Sequence, residues 1–106
     1  MTKLIFFKDG NSFAGFQCKN HSGYAQNGQD IVCSAVSTAV QLTACYLLKY
    51  HNNDIIYSVD ERNASITLRC KKLFLEADRQ ISILFEFANS LSNQYPNYFT
   101  FDFLEV

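Results

Sequence analysis

The stretch DIVCSAVSTAVQLTACYLLKY, residues 30–50, contains neither glycine nor proline, and apolar residues recur in it at helical spacing. Asp30 at its start is a good N-cap, and the run Asn52-Asn53-Asp54 follows its end. We therefore predict a long helix over residues 31–50. Its predicted buried stripe consists of Val32, Val36, Ala39, Thr43, Tyr46, Leu47 and Tyr50.

The segments on both sides of this helix have the pattern of β-strands. Before it, strands are predicted at 2–8 and 12–19, joined by a turn at residues 9–11. After it, strands are predicted at 55–59 and 64–71, followed by a second helix at 76–94 that ends before Pro96. A last strand is predicted at 98–104, with Phe99, Phe101 and Phe103 on one face.

The resulting order, ββαββαβ, predicts an α+β fold with a mainly antiparallel mixed sheet and two helices packed on one face. The length suits one domain over residues 1–106. Phe7, Phe103 and their neighbours are predicted to place apolar side chains on the second sheet face as well. An apolar face of this kind favours self-association.

Charge and hydropathy exclude several classes of function. Nine basic and ten acidic residues are interspersed, with a net charge of −1, so no basic stripe is available for direct nucleic-acid binding. The apolar run at the N-terminus is interrupted at Lys8 and is too short for a signal peptide. We also expect no stretch of membrane-spanning length. These features predict a soluble, cytoplasmic protein.

Four cysteines raise the question of disulfides and metal sites. They lie at positions 18, 33, 45 and 70, and no CxxC pair occurs, so neither a zinc site nor a cofactor is predicted. Without a secretory signal they are expected to remain thiols. Core packing is the favoured interpretation for Cys18, Cys45 and Cys70.

Cys33 differs from the others because it follows the predicted N-cap by three residues. Unpaired backbone N–H groups and the helix dipole at such a position stabilise a thiolate and an oxyanion. His21 precedes the predicted helix in a loop-like segment, which can fold back and place an imidazole beside Cys33. Gly23 and Gly28 would let that loop move to admit a peptide.

Each of these residues also has a simpler interpretation. Cys33 can be a small buried hydrophobe, and His21 a solvated loop side chain. Asp30 either only caps the helix or also orients the imidazole. Ser37, one turn after Cys33, either supports the thiol or bonds to a backbone carbonyl within the helix.

The segment 21–37 resembles the signature of the Prp family, the bacterial ribosomal-processing cysteine proteases. The residues that carry the resemblance are His21-Ser22-Gly23-Tyr24-Ala25 and Gly28-Gln29-Asp30-Ile31-Val32-Cys33-Ser34-Ala35-Val36-Ser37. The family signature has a Gly-His-Ala stretch followed by Gly-x-Asp-Ile-Val-Cys-Ala-Ala-Val-Ser. The late segment 94–98 also resembles the family's Tyr-Pro segment.

The resemblance implies a function. His21 and Cys33 match the catalytic pair, and Asp30 and Ser37 match accompanying polar positions. Family members remove a short N-terminal extension from a large-subunit ribosomal protein, cutting after an aromatic residue, and are homodimers with a mobile active-site loop. Two alternatives remain: a non-enzymatic ribosome-assembly or interaction module that retains the fold, and a redox-sensing protein that uses Cys33.

Overall fold

In the computed structural model, which describes residues 1–19 and 27–106, a five-stranded sheet is covered on one face by two helices. The elements are β1 (Thr2–Asp9), β2 (Ser12–Lys19), α1 (Asn27–His51), β3 (Ile55–Asp60), β4 (Ser65–Cys70), α2 (Leu75–Gln94) and β5 (Phe99–Glu105), with a single 3₁₀ turn at Asn52–Asp54 between α1 and β3. The predicted order ββαββαβ is confirmed. All boundaries except the start of α1 agree with the prediction to within one residue.

The strand order in the sheet is β3-β4-β2-β1-β5. The β1–β2, β2–β4 and β3–β4 pairs are antiparallel, whereas β1 and β5 are parallel. The predicted mixed, mainly antiparallel sheet is therefore confirmed. β3 and β5 form the two edges of this sheet, and each has one side without a strand partner among the described residues.

The core lies between the inner face of the sheet and the helices. Leu4, Cys18, Ile66 and Val59 follow one another across four neighbouring strands, so their side chains point to the same face. The sheet residues buried on this face include Leu4, Phe6, Phe16, Cys18, Ile66, Leu68 and Phe99. The helices contribute Val32, Val36, Val40, Ala44, Leu47, Ala77, Ile81, Leu84, Ala88 and Leu91.

Helix α1 differs from the prediction in its start and in its buried stripe. It begins at Asn27 and therefore includes Gly28. A glycine inside a helix costs only about 1 kcal/mol relative to alanine, so it does not stop the helix. Its buried stripe includes Val40 and Ala44 in place of Ala39 and Thr43. The prediction is confirmed for Val32, Val36 and Leu47, which are buried, and wrong for Tyr50, which is exposed. Its other members lie on the side of α1 turned towards α2, where Tyr46 donates a hydrogen bond to Glu76.

The outer sheet face is also less apolar than predicted. Phe7 does point to that face, where the Arg69 guanidinium lies 4.4 Å from its ring centroid, and Phe7 is buried. Phe103, however, belongs to the helix side, where its ring contacts Phe6 and Phe85. The assignment of Phe103 to the second face was wrong, because Phe103 is the direct strand neighbour of the inward-facing Phe6.

One segment has the length and composition of a membrane-spanning helix. It covers Ile31–Asp54, which contradicts the expectation that no stretch approaches that length. The core helix of a soluble protein and a signal sequence near the N-terminus pass the same test, so one such helix is weak evidence for a membrane span. Here the stripe of α1 that includes Val32, Val36 and Val40 is buried in the core against the sheet.

Candidate active site

Cys33 lies in the second turn of α1 and is half-buried. Because α1 begins at Asn27, Asp30 is the fourth helical residue and Cys33 the seventh. The predictions that Asp30 is the N-cap and that Cys33 is the third helical residue were therefore wrong. The N–H groups without intrahelical partners are the first four of a helix, and the dipole effect also falls off after the first turn. Local helix geometry therefore contributes less to a Cys33 thiolate than its predicted position implied.

Ser37 follows Cys33 by one helical turn on the same flank of α1. The amide nitrogen Nε2 of Gln41, one further turn along, donates a hydrogen bond of 3.2 Å to the Ser37 hydroxyl oxygen. The predicted proximity of Ser37 and Cys33 along the helix therefore holds. The flank continues from Cys33 through polar side chains towards the middle of the helix.

The other predicted site residues precede this region. His21 and Gly23 lie outside the described residues, so the predicted approach of His21 to Cys33 stays a prediction. Gly28 and Asp30 belong to α1. The prediction that Gly28 lies in the loop was wrong, since the helix takes up this residue; the mobility of the preceding segment stays a prediction.

The remaining cysteines occupy three different environments. Cys18 is fully buried on the inner face of β2, and burial together with the nearby charge of Cys33 raises the pKa of its thiol to about 12. Burial and the charge of Asp54 raise the pKa of Cys70 to about 11. Cys45 is exposed on α1, so its assignment to the core was wrong.

The proximity of Cys18 to Cys33 was not predicted. The chain order contains a signal for it, because Cys18 ends the inner row of β2 just before the segment that leads to α1. A connection of this kind brings the end of the strand next to the start of the helix. Cys33 therefore lies near Cys18, from which a row of neighbours continues through Ile66 to Val59 on the inner face of the sheet.

Residues 1–19 and 27–106 contain no candidate metal site. Within those ranges, no group of three or more His, Cys, Asp or Glu side chains is close enough to hold a metal ion. Cys18 is buried, Cys70 is half-buried and Cys45 is exposed, so these three side chains lie in different environments.

Comparison with protein families gives a match over residues 1–100 to the model described as cysteine protease Prp. The chain belongs to the Prp family of cysteine proteases. The matched range includes both His21 and Cys33. A search of curated proteins found no match.

Solved structures show the same fold. SMU.848 from Streptococcus mutans is 17% identical, with a TM-score of 0.83, and the match covers 100% of this chain and 96% of that one. The essential ribosomal processing protease Prp from S. aureus, in complex with a substrate peptide, is 11% identical with a TM-score of 0.83. That match covers 98% of this chain and 100% of the S. aureus chain.

Proposed function

We propose that this cysteine protease removes the short N-terminal extension of a large-subunit ribosomal protein by cutting after an aromatic residue. The observation that carries the proposal is the Prp family match, which spans both proposed catalytic residues. The fold shared with a ribosomal processing protease that has been crystallised with its substrate peptide supports it further.

We propose Cys33 as the nucleophile and His21 as its base. The His21 imidazole accepts the proton of the Cys33 thiol, and the sulfur attacks the scissile carbonyl carbon. As the C–N bond breaks, the protonated imidazole gives its proton to the leaving amine, and a thioester remains on Cys33. Water then hydrolyses this thioester and releases the thiol. The sequence of steps requires no metal or cofactor.

Asp30 and Ser37 take supporting roles in this proposal. Asp30 precedes Cys33 by three residues and Ser37 follows it by four, so both positions fall on the same flank of α1. We assign Asp30 to orienting the His21 imidazole and Ser37 to the polar surroundings of the thiol. Movement of the segment around Gly23 would admit the peptide.

We further propose that the enzyme works in the cytoplasm as a homodimer and does not bind nucleic acid or membrane directly. Support for self-association comes from the outside of the helix layer. Leu42 on α1 and Ile83 on α2 are 71% and 60% exposed there, beside a groove of about 470 Å³. Exposed apolar side chains grouped in this way are typical of interaction surfaces.

The dimer proposal predicts that a charge on this surface separates the copies. Leu42→Glu should shift the mass measured by size-exclusion chromatography with light scattering from dimer to monomer, because burying a carboxylate is costly. Ile56→Glu is the control, since Ile56 is also exposed but lies on the outer sheet face. A wild-type protein that is monomeric at all concentrations would contradict the proposal.

The catalytic proposal is tested with a peptide that spans the N-terminal extension of the ribosomal protein. Wild-type protein should cut it after an aromatic residue, as read by mass spectrometry. Cys33→Ala should lower kcat/KM by about a thousandfold or more, because the nucleophile is lost. Thr38→Ala, a change at an exposed position of the same helix that does not line the groove, should leave kcat/KM unchanged.

Two outcomes would contradict this proposal. Cleavage that survives Cys33→Ala would exclude Cys33 as the nucleophile. No cleavage of the peptide by the folded wild-type protein would favour the alternative of an interaction module that retains the protease fold.

A further inference from the structure

The flank of α1 that carries Cys33 leads into a groove beside the edge strand β3. Cys33, Ser37 and Gln41 follow one another at intervals of one turn, and Gln41 is also part of the groove. The groove and Cys33 therefore lie on the same side of α1.

This groove is largely apolar and has a volume of about 390 Å³. Ala44 and Ile66, which line it, are almost fully buried, whereas Val59 is 52% exposed. Leu48 and Tyr57 also line it, and Gln41 and Glu61 are its polar members. Cys45 of α1 and Tyr57 of β3 line the groove from opposite sides.

The sheet connects the groove to the catalytic cysteine. Cys18, Ile66 and Val59 are direct neighbours on β2, β4 and β3, and Cys18 lies near Cys33. Since neighbouring strands are about 4.8 Å apart, the wall formed by Ile66 and Val59 lies roughly 5–10 Å from Cys18. The far end of the groove, at Ala44 and Leu48, is roughly 17–22 Å along the helix from Cys33.

An extended peptide rises about 3.3 Å per residue, so the groove corresponds to positions roughly two to seven residues from a bond held at Cys33. β3 also offers a strand edge, along which an extended peptide gains main-chain hydrogen bonds while alternate side chains enter pockets. An apolar side chain is the group that gains most from this lining.

We propose that the groove between α1 and β3 is a specificity subsite, which binds an apolar side chain of the peptide substrate roughly two to seven residues from the cleaved bond. The inference rests on the proposed function, because it takes Cys33 as the nucleophile. Val59 and Tyr57 on β3 and Leu48 on α1 are its specificity-determining residues.

The variant Val59→Asp tests this inference, with Ile56→Asp as its matched control. The two residues are similarly exposed on the same strand, but Ile56 faces away from the groove. Val59→Asp should raise KM roughly tenfold or more with kcat unchanged. The apolar contact that it removes stabilises the bound substrate and the transition state by the same amount. Val59→Thr, which keeps the shape, should show a smaller rise, and Ile56→Asp none.

Altered peptides identify which residue of the substrate binds in the groove. Asp is placed in turn at each apolar position roughly two to seven residues from the cut, on either side. The proposal predicts that one such peptide has a raised KM with wild-type protein and that Val59→Asp raises its KM little further, since the same contact is already lost. A KM that is equally insensitive at every one of these positions would overturn it.

A binding measurement separates this inference from the proposed function. Fluorescence anisotropy of a labelled peptide on the Cys33→Ala protein should show weaker binding when Val59→Asp is added, without any turnover. Binding that depends on Val59 while wild-type protein cuts nothing would refute the proposed function alone. Cleavage by wild type with identical KM for Val59→Asp and Ile56→Asp would refute the subsite alone.

Discussion

At the scale of single residues, the four thiols differ in burial and in pKa. Cys18 and Cys70 have raised pKa values, about 12 and about 11, because burial disfavours their thiolates. Cys45 is exposed and Cys33 is half-buried. Cys70 is half-buried like Cys33, but its raised pKa keeps it protonated near neutral pH. Among the four, Cys33 is the one that lies in the family signature.

This difference predicts the order of alkylation by iodoacetamide near neutral pH. Cys33 should react fastest if His21 activates it, Cys45 at the ordinary rate of an exposed thiol, and Cys18 and Cys70 slowest because they stay protonated. Peptide mapping by mass spectrometry gives all four rates in one time course. His21→Ala should slow Cys33 alone; a Cys33 rate that equals the Cys45 rate in wild type would argue against an activated thiol.

Sequence reasoning selected Cys33 but misplaced it in the helix. The residues Asp30 to Cys33 have the pattern of a cap followed by a first turn, and Gly28 suggested a loop before them. The helix starts earlier because neither Gly28 nor Asp30 prevents helical geometry. The neighbour Cys18 was missed for a different reason: its proximity depends on how strand and helix pack.

At the scale of elements, Gly15 shows how one position fixes the packing of strands. Its φ of 148° is a conformation that essentially only glycine adopts, and a Cβ there would lie 2.2 Å from the backbone oxygen of Leu68. Gly15 lies between Phe7 and Arg69 in the sheet, and its missing side chain leaves the space in which the guanidinium covers the Phe7 ring.

Gly15→Ala should therefore lower the free energy of unfolding by about 3 kcal/mol or more, as measured by urea denaturation. Gly10→Ala is the control, because Gly10 also has a positive φ, 61°, but nothing lies within 4 Å of an added Cβ. It should cost about 1 kcal/mol. Equal losses for the two variants would show that the contact at Leu68 is relieved at little cost.

At the scale of the whole molecule, the α+β class and the element order follow from local patterns of hydropathy and turn residues. The strand order β3-β4-β2-β1-β5 does not, because the β2–β4 and β1–β5 pairs join segments far apart in the chain. Cross-strand neighbours such as Cys18 and Ile66 exist only once those pairs form. The groove beside β3 was for this reason beyond prediction from sequence, whereas the proposed catalytic pair was selected from a local sequence motif.

The central claim is that Cys33 carries the acyl group during peptide cleavage. The most direct measurement mixes the protein with the ribosomal extension peptide, quenches with acid within milliseconds to seconds, and determines the intact mass and the modified residue. We predict an added mass equal to the N-terminal fragment less water, located on Cys33 and absent from Cys33→Ala. Cleavage that proceeds without this adduct, or with the adduct on Cys45, would contradict the account.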